Sequence, residues 1–366
     1  MPKSLYIITL GVMLLSCRSQ QTKTTPAAAY YWRTNFAFDE SDRQLTAQAG
    51  IQKLYVRYFD VDWSPTQSEA VPLGTIHWDW DAKPFRIEEL EIVPVVYLTQ
   101  IVLEKESRLD SLAARIARKI NKISEDLERQ VYSNYEWIAP KELAGITDWA
   151  VRDSLIAAKQ LAFRERMQEI QIDYDWTNST REAYFTLLQK LKQQFAGKKL
   201  SCTVRLHQFR MGEKAGIPPV DQGMLMCYNV AQVDDPQTKD AILDMDLVKG
   251  YIGSHSYPLP LDAAIPMFSW GALFRENQFK GLARDIQAGQ LEDNSLFETT
   301  GPDHFRFKTD TVFADVFVRE GDELRLDGPN PEELKALMQE LRQIKGIENL
   351  AVFDWQGLKS GQYSIH

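Results

Sequence analysis

The sequence predicts an α/β fold, a (β/α)8 TIM barrel, on three observations. Short strand-like runs alternate with helical stretches along most of the chain, and eight such runs can be picked out. No GxGxxG or GxxxxGK[ST] element follows any of them, which removes the phosphate-cradling reason for an open doubly wound sheet, the alternative architecture. Two insertions are expected, a helical one between strands 3 and 4 and a β-hairpin before strand 8.

Tyr31–Phe38 reads as the first strand and Asp42–Ala49 as a short helix stopped by Gly50. Lys53–Phe59 is the second strand and Ile92–Leu98 the third. Leu109, Leu112, Ala113, Ile116, Ile120, Ile123 and Leu127 recur at spacings of three and four and predict a long amphipathic helix; Trp149–Met167 predicts another. The fourth strand is Ile170–Asp175. Ser179 and Glu182 form a capping box for a helix with Tyr184, Leu187, Leu188, Leu191 and Phe195 on its apolar face. Leu200–Leu206 and Gly223–Asn229 are strands five and six, Asp240–Val248 a helix, and Ala264–Leu273 strand seven. Phe305–Leu326 alternates like a hairpin turning at Gly321-Asp322. Asn330 caps, Pro331 opens and Gly346 closes a helix carrying Leu334, Leu337, Leu341 and Ile344. Leu350–Trp355 is strand eight.

The first residues predict an address. Met1-Pro2-Lys3 precedes an almost uncharged run that ends Leu14-Leu15-Ser16-Cys17, the pattern of a bacterial lipoprotein signal. Cleavage before Cys17 would leave its sulfur and new amine to carry acyl chains, enough for durable membrane attachment. Arg18, where an aspartate would retain the protein at the inner membrane, favours the outer one. The expected organisation is a signal peptide 1–16, a polar, Thr-rich tether 17–29, and one barrel domain 30–366. The net charge of −9 argues against nucleic acid as a partner. Besides Cys17 there are only Cys202 and Cys227, on strands expected to be neighbours; a bridge and two buried thiols both stay open.

In a barrel the chemistry sits where the strands end. Asp173 and Asp175 fall on one parity at the end of strand four, about 7 Å apart along the backbone if the strand runs through both. They are the candidate catalytic carboxylates, with Asp354 or Asp62 as the partner on another strand. Arg33, Arg57, Arg205, Tyr228, Trp176, Trp270 and Trp355 complete the rim as candidate substrate-binding residues. The arginines either touch ligand or neutralise buried aspartates. The tryptophans either stack on a sugar ring or pack under loops. His77, His207, His255, His304 and His366 show no metal-ligand spacing, no GxSxG elbow occurs, and no cofactor or metal is expected.

Ile172-Asp173-Tyr174-Asp175-Trp176 resembles the fourth-strand signature of family 18 glycoside hydrolases, the chitinase-like barrels, in which alternate aspartates lead to a glutamate that acts as general acid. Thr177 holds that place here and cannot protonate a leaving oxygen at neutral pH, so the family's substrate-assisted chemistry is not implied. A wider resemblance is to an uncharacterised bacterial family of glycosyl-hydrolase-like barrels. It rests on Gln171-Ile172-Asp173-Tyr174-Asp175, Tyr257-Pro258-Leu259-Pro260-Leu261-Asp262 and Ala264-Ile265-Pro266-Met267-Phe268-Ser269-Trp270-Gly271, and implies a fold more than an activity. The functional expectation is a lipid-anchored glycoside-hydrolase-like protein that acts on or binds a glycan. The alternatives are a non-catalytic glycan-binding or structural envelope lipoprotein that has lost the acid, and aspartates that only form buried salt bridges.

Overall fold

The computed structural model describes residues 26–78, 86–132, 143–253, 256–284, 286, 290–291 and 295–363. The expected signal segment 1–16, Cys17 and the rest of the expected tether up to residue 25, His255 and His366 lie outside them.

Eight parallel strands close into a barrel: β1 Ala28–Tyr31, β2 Lys53–Ser64, β3 Glu91–Leu98, β4 Glu169–Asp173, β5 Lys199–Arg205, β6 Gln222–Met226, β7 Leu261–Pro266 and β8 Ile347–Phe353. Each pairs with the next in sequence, and β1 pairs with both β2 and β8, which leaves no free edge among the eight. The first strand begins at Ala28, two residues before the expected start of the folded body. Glu69–Leu73 adds antiparallel to the outer end of β2, past the barrel.

The barrel interior is aromatic and polar at once. Tyr30 stacks on Tyr55 at 4.7 Å between ring centres, and its hydroxyl donates to Gln171 Oε1 at 2.6 Å. Below them Glu169 accepts from Lys53 Nζ at 2.8 Å and Ser201 Oγ at 2.6 Å. Charges this deep are retained because each has a partner.

The helices follow the sequence pattern with shifts at their ends. Glu40–Ala49 is capped reciprocally by Asp39 and Asp42 and stops at Gly50, whose φ of 71° suits a residue without Cβ. In Leu109–Tyr132 the expected stripe of Leu112, Ala113, Ile116, Ile120, Ile123 and Leu127 is buried, and this helix packs on Arg181–Gln194. The latter starts after Thr180; the box expected of Ser179 and Glu182 is not formed, since Ser179 Oγ instead meets Thr177 Oγ1 at 2.9 Å. The helix expected at Asp240–Val248 is Met245–Ile252, capped by Asp244. Asp240 serves the preceding loop, accepting from the amides of Ile242, Leu243 and Gly328. Asn330 and Glu333 cap Pro331–Gln343 as its sequence indicates.

The second half departs from expectation in one large feature. Ala264–Leu273 is not one strand: β7 ends at Pro266, and Trp270–Arg275 enters a separate antiparallel sheet. That sheet has five strands in the order Gln278–Arg284, Trp270–Arg275, Glu323–Asp327, His304–Phe307, Phe297–Gly301, and a core that includes Leu273, Phe297, Phe307, Phe313 and Leu324. His304–Phe307 and Glu323–Asp327 are the expected pair, but the chain between them turns at Ala314-Asp315, with φ of 46° and 63°, in a small hairpin of Thr311–Phe313 and Val316–Val318. Cys202 and Cys227 are buried free thiols, and burial pushes the Cys202 sulfur up to about 12.

Candidate functional site

Two conjoined depressions open beside the C-terminal ends of the strands. One, of about 500 Å³, is lined by Asp173, Asp175, Arg205, Tyr228, Trp270 and Arg284 among others. The second, of about 640 Å³, runs under the C-terminal segment, with Gln356, Ser360 and Gln362 on its wall. Arg33, Phe268, Ser269 and Asp354 line both, so the two form one groove.

β4 supplies the floor. It ends at Asp173, where its last ladder partner is Tyr97; Asp175 therefore lies in the following loop, not on the same pleat as expected. The turn that ends the strand is visible in the Trp176 amide, which bonds back to Tyr174 O at 3.2 Å. The two carboxylates consequently meet different surroundings. Asp173 is 7% exposed and accepts from Thr203 Oγ1 at 2.7 Å. Burial, reinforced by the charge of Asp175, raises its pKa to about 6 against the opposing pull of Thr203 and Arg205. Asp175 is half-buried and ion-pairs with Arg205 Nε at 3.0 Å. Arg205, the last residue of β5, thus pairs with a half-buried aspartate from a position that also faces the groove.

Asp354 follows β8 and lines both lobes, while its Oδ1 accepts from Gly357 N at 3.1 Å at the start of helix Trp355–Lys359. Arg33 lies on the same two walls. Tyr228, next to Asn229 after β6, stacks on Phe353 at 4.9 Å and borders the floor; burial holds its phenol well above the usual range, so the hydroxyl is neutral. The structure thus brings Asp173, Asp175, Asp354, Arg33, Arg205, Tyr228 and Trp270 to one groove.

Four expected rim residues lie elsewhere. Asp62 sits where β2 runs beyond the barrel, opposite Val71, and its Oδ1 takes the Thr99 hydroxyl at 2.5 Å. Arg57 pairs with Asp60, Nε to Oδ1 at 2.7 Å, and backs the ring of Trp32 at 5.5 Å. Trp176 is 3% exposed, donates to Ala215 O at 3.0 Å and stacks on Tyr184, so it packs under the loop after β5. Trp355 is fully covered and donates to Asp42 Oδ1 at 2.9 Å, tying the C-terminal helix to Glu40–Ala49. A ring enclosed on both faces offers a sugar nothing to stack on.

Other lining residues were not singled out from the sequence: Trp32, Tyr97, Phe268, Phe353 and Arg284. Trp32 and Phe268 follow β1 and β7 by one and two residues, and Tyr97 and Phe353 lie at the C-terminal ends of β3 and β8. Arg284 belongs to the inserted sheet, whose strand Gln278–Arg284 carries a register irregularity that breaks the alternation. Thr177 is exposed; its hydroxyl meets those of Ser179 and Thr180, and its carbonyl accepts from the amides of Thr180 and Arg181. Among the described residues no group of three or more His, Cys, Asp or Glu side chains is placed to hold a metal ion, and no helix is long and apolar enough to cross a membrane.

No protein-family model matches the chain, and no curated protein matches it. Solved structures align with it over nearly its whole length at low identity. The spore cortex-lytic enzyme SleL of Bacillus cereus aligns at 14% identity and a TM-score of 0.44, over 93% of this chain and 75% of SleL. A xylanase and alpha-amylase inhibitor protein of Scadoxus multiflorus aligns at 10% and 0.39, over 92% and 96%. The C-terminal domain of Legionella pneumophila ChiA gives 11% and 0.33, over 92% and 94%.

Proposed function

We propose that the chain binds an oligosaccharide in this groove, and that the binding is not followed by hydrolysis through the substrate-assisted route. The observation that carries the reading is the composition of the groove. Aromatic Trp32, Tyr97, Phe268 and Phe353 line it together with Asp173, Asp175, Arg205, Asn229 and Asp354, the mixture of flat apolar faces and directional polar groups that a polyhydroxylated ring requires. The two lobes meet at Arg33 and Asp354, which favours a chain of sugars over a single one. Against hydrolysis stand the exposed Thr177 in place of an acid and the ion pair that occupies Asp175. The sequence Leu14-Leu15-Ser16-Cys17 supports attachment to the bacterial envelope through a lipid on Cys17, and Arg18 supports the outer membrane.

The direct test is calorimetric titration with N-acetylglucosamine oligomers of one to six units. Affinity is expected to rise with length, and to fall at least tenfold in Asp175→Ala. Equal, negligible heat for all lengths, and for acidic oligosaccharides as well, with folded protein would remove the reading.

A second reading, hydrolysis with Asp173 as proton donor, has one specific support: a carboxyl held near 6 is still partly protonated near neutrality. Asp354 would then be the second carboxylate. Release of reducing ends that disappears in Asp173→Asn, with binding retained, would favour it over the first.

A further inference from the structure

Trp270 sits in the groove wall, yet it is 8% exposed and one face of its ring is covered by the guanidinium of Arg284, whose Cζ lies 5.7 Å from the ring centroid. The two are cross-strand partners in the inserted sheet, so their side chains share a face. The group this wall shows to the groove is therefore the exposed Arg284, with the tryptophan as its bed.

The bed is itself fixed. Trp270 Nε1 donates to Asp327 Oδ2 at 3.0 Å. Asp327 is neutralised by Arg325, whose Nε reaches Oδ1 at 2.7 Å and Nη2 reaches Oδ2 at 3.0 Å, and Arg325 also donates to Asp235 O at 2.8 Å and Val233 O at 3.1 Å. All three of these side chains are buried. Because the charge of Asp327 is consumed by Arg325, it does not compete for Arg284. Among the described residues no carboxylate pairs with Arg284, whereas of the two other arginines lining the groove Arg205 is held by Asp175 and Arg33 has interactions of its own.

Resting on the glycan reading above and narrowing it, we infer that the groove selects an acidic sugar, whose oxyanion is received by Arg284 against Trp270. A guanidinium presents parallel N–H donors that match a carboxylate or an ester oxyanion in bidentate fashion. The negative group lies on the inserted-sheet side, away from Asp173 and Asp175, and the neutral part of the ligand crosses the floor.

The test compares three hexasaccharides by calorimetry on the full chain: alternating glucuronic acid and N-acetylglucosamine, N-acetylglucosamine alone, and its 6-sulfated form. The intact groove is expected to bind an acidic oligomer at least tenfold more tightly than the neutral one; whichever acidic arm wins identifies the oxyanion. Arg284→Gln, at an exposed strand end, is expected to erase that preference, and Arg284→Lys to restore part of it. Equal affinity for acidic and neutral oligomers, or a preference that survives Arg284→Gln with an unchanged melting temperature, would overturn the inference while the glycan reading stands. If none of the three binds, both fall.

Discussion

Asp173 and Asp175 are two residues apart, yet one is buried with its pKa raised to about 6 and the other is held as an ion pair by Arg205. This difference has a measurable sign. An aspartate titrates near 4 in an unfolded chain, so between about pH 4 and 6 the folded protein retains a proton on Asp173 that the unfolded chain has released. The stability this group contributes is complete below pH 4 and is lost as the pH rises through 6, up to about 3 kcal/mol. Asp173→Asn removes the titration. Its melting temperature relative to the parent protein is expected to rise between pH 4.5 and 7.5, and a difference that stays constant over that range would contradict the assignment. Asp262, raised to about 6 by burial at the opposite end of the barrel, is expected to behave alike. The carboxylate pair was legible in the sequence, but not the unequal environments: period-two alternation says which way a side chain points only while the strand lasts, and β4 stops at Asp173.

Among elements, the inserted sheet shows the largest gap between sequence and structure. Phe305–Leu326 shows its alternation openly, whereas Trp270–Arg275 follows β7 so closely that hydrophobicity runs through Pro266 without a break. Its attachment rests on Arg325 and Asp327. Asp327→Ala leaves a buried guanidinium without its anion and is expected to cost about 3 kcal/mol in denaturant unfolding, while Arg325→Met with Asp327→Leu is expected to recover much of that loss. A single replacement that costs under 1 kcal/mol would show the pair to be dispensable. Helix Trp355–Lys359 is placed as strictly: a Cβ on Gly357 would fall 1.5 Å from Met267 O. Gly357→Ala must push this helix off the end of β7, and is expected to weaken both folding and binding, since Gly357 and Asp354 share the second lobe. Wild-type melting temperature in that variant would refute the contact.

At the level of the whole molecule, the barrel was legible because its evidence is repeated: eight strand-like runs separated mostly by helices point to one architecture even when several boundaries are wrong by a few residues. Which side chains reach the mouth was less legible, because Trp176 and Trp355 occur at strand ends like Trp270 and only packing distinguishes them. Closure depends on β1, four residues long and the bridge between β2 and β8. A chain beginning at residue 26 is expected to unfold cooperatively, and one beginning at residue 32 to lose that cooperativity, as read by circular dichroism on heating. Equal transitions in both would mean that β1 is an accessory strand.

The same closure sets an order of events in time. Ala28 pairs with Ala351, so the first strand cannot find its last neighbour until nearly the whole chain has emerged from the ribosome or crossed a membrane. Contacts between residues so distant in sequence form slowly. Until β8 arrives, β1 and β7 are each left with an unpaired side, and the nascent chain has two margins open to pairing with other strands.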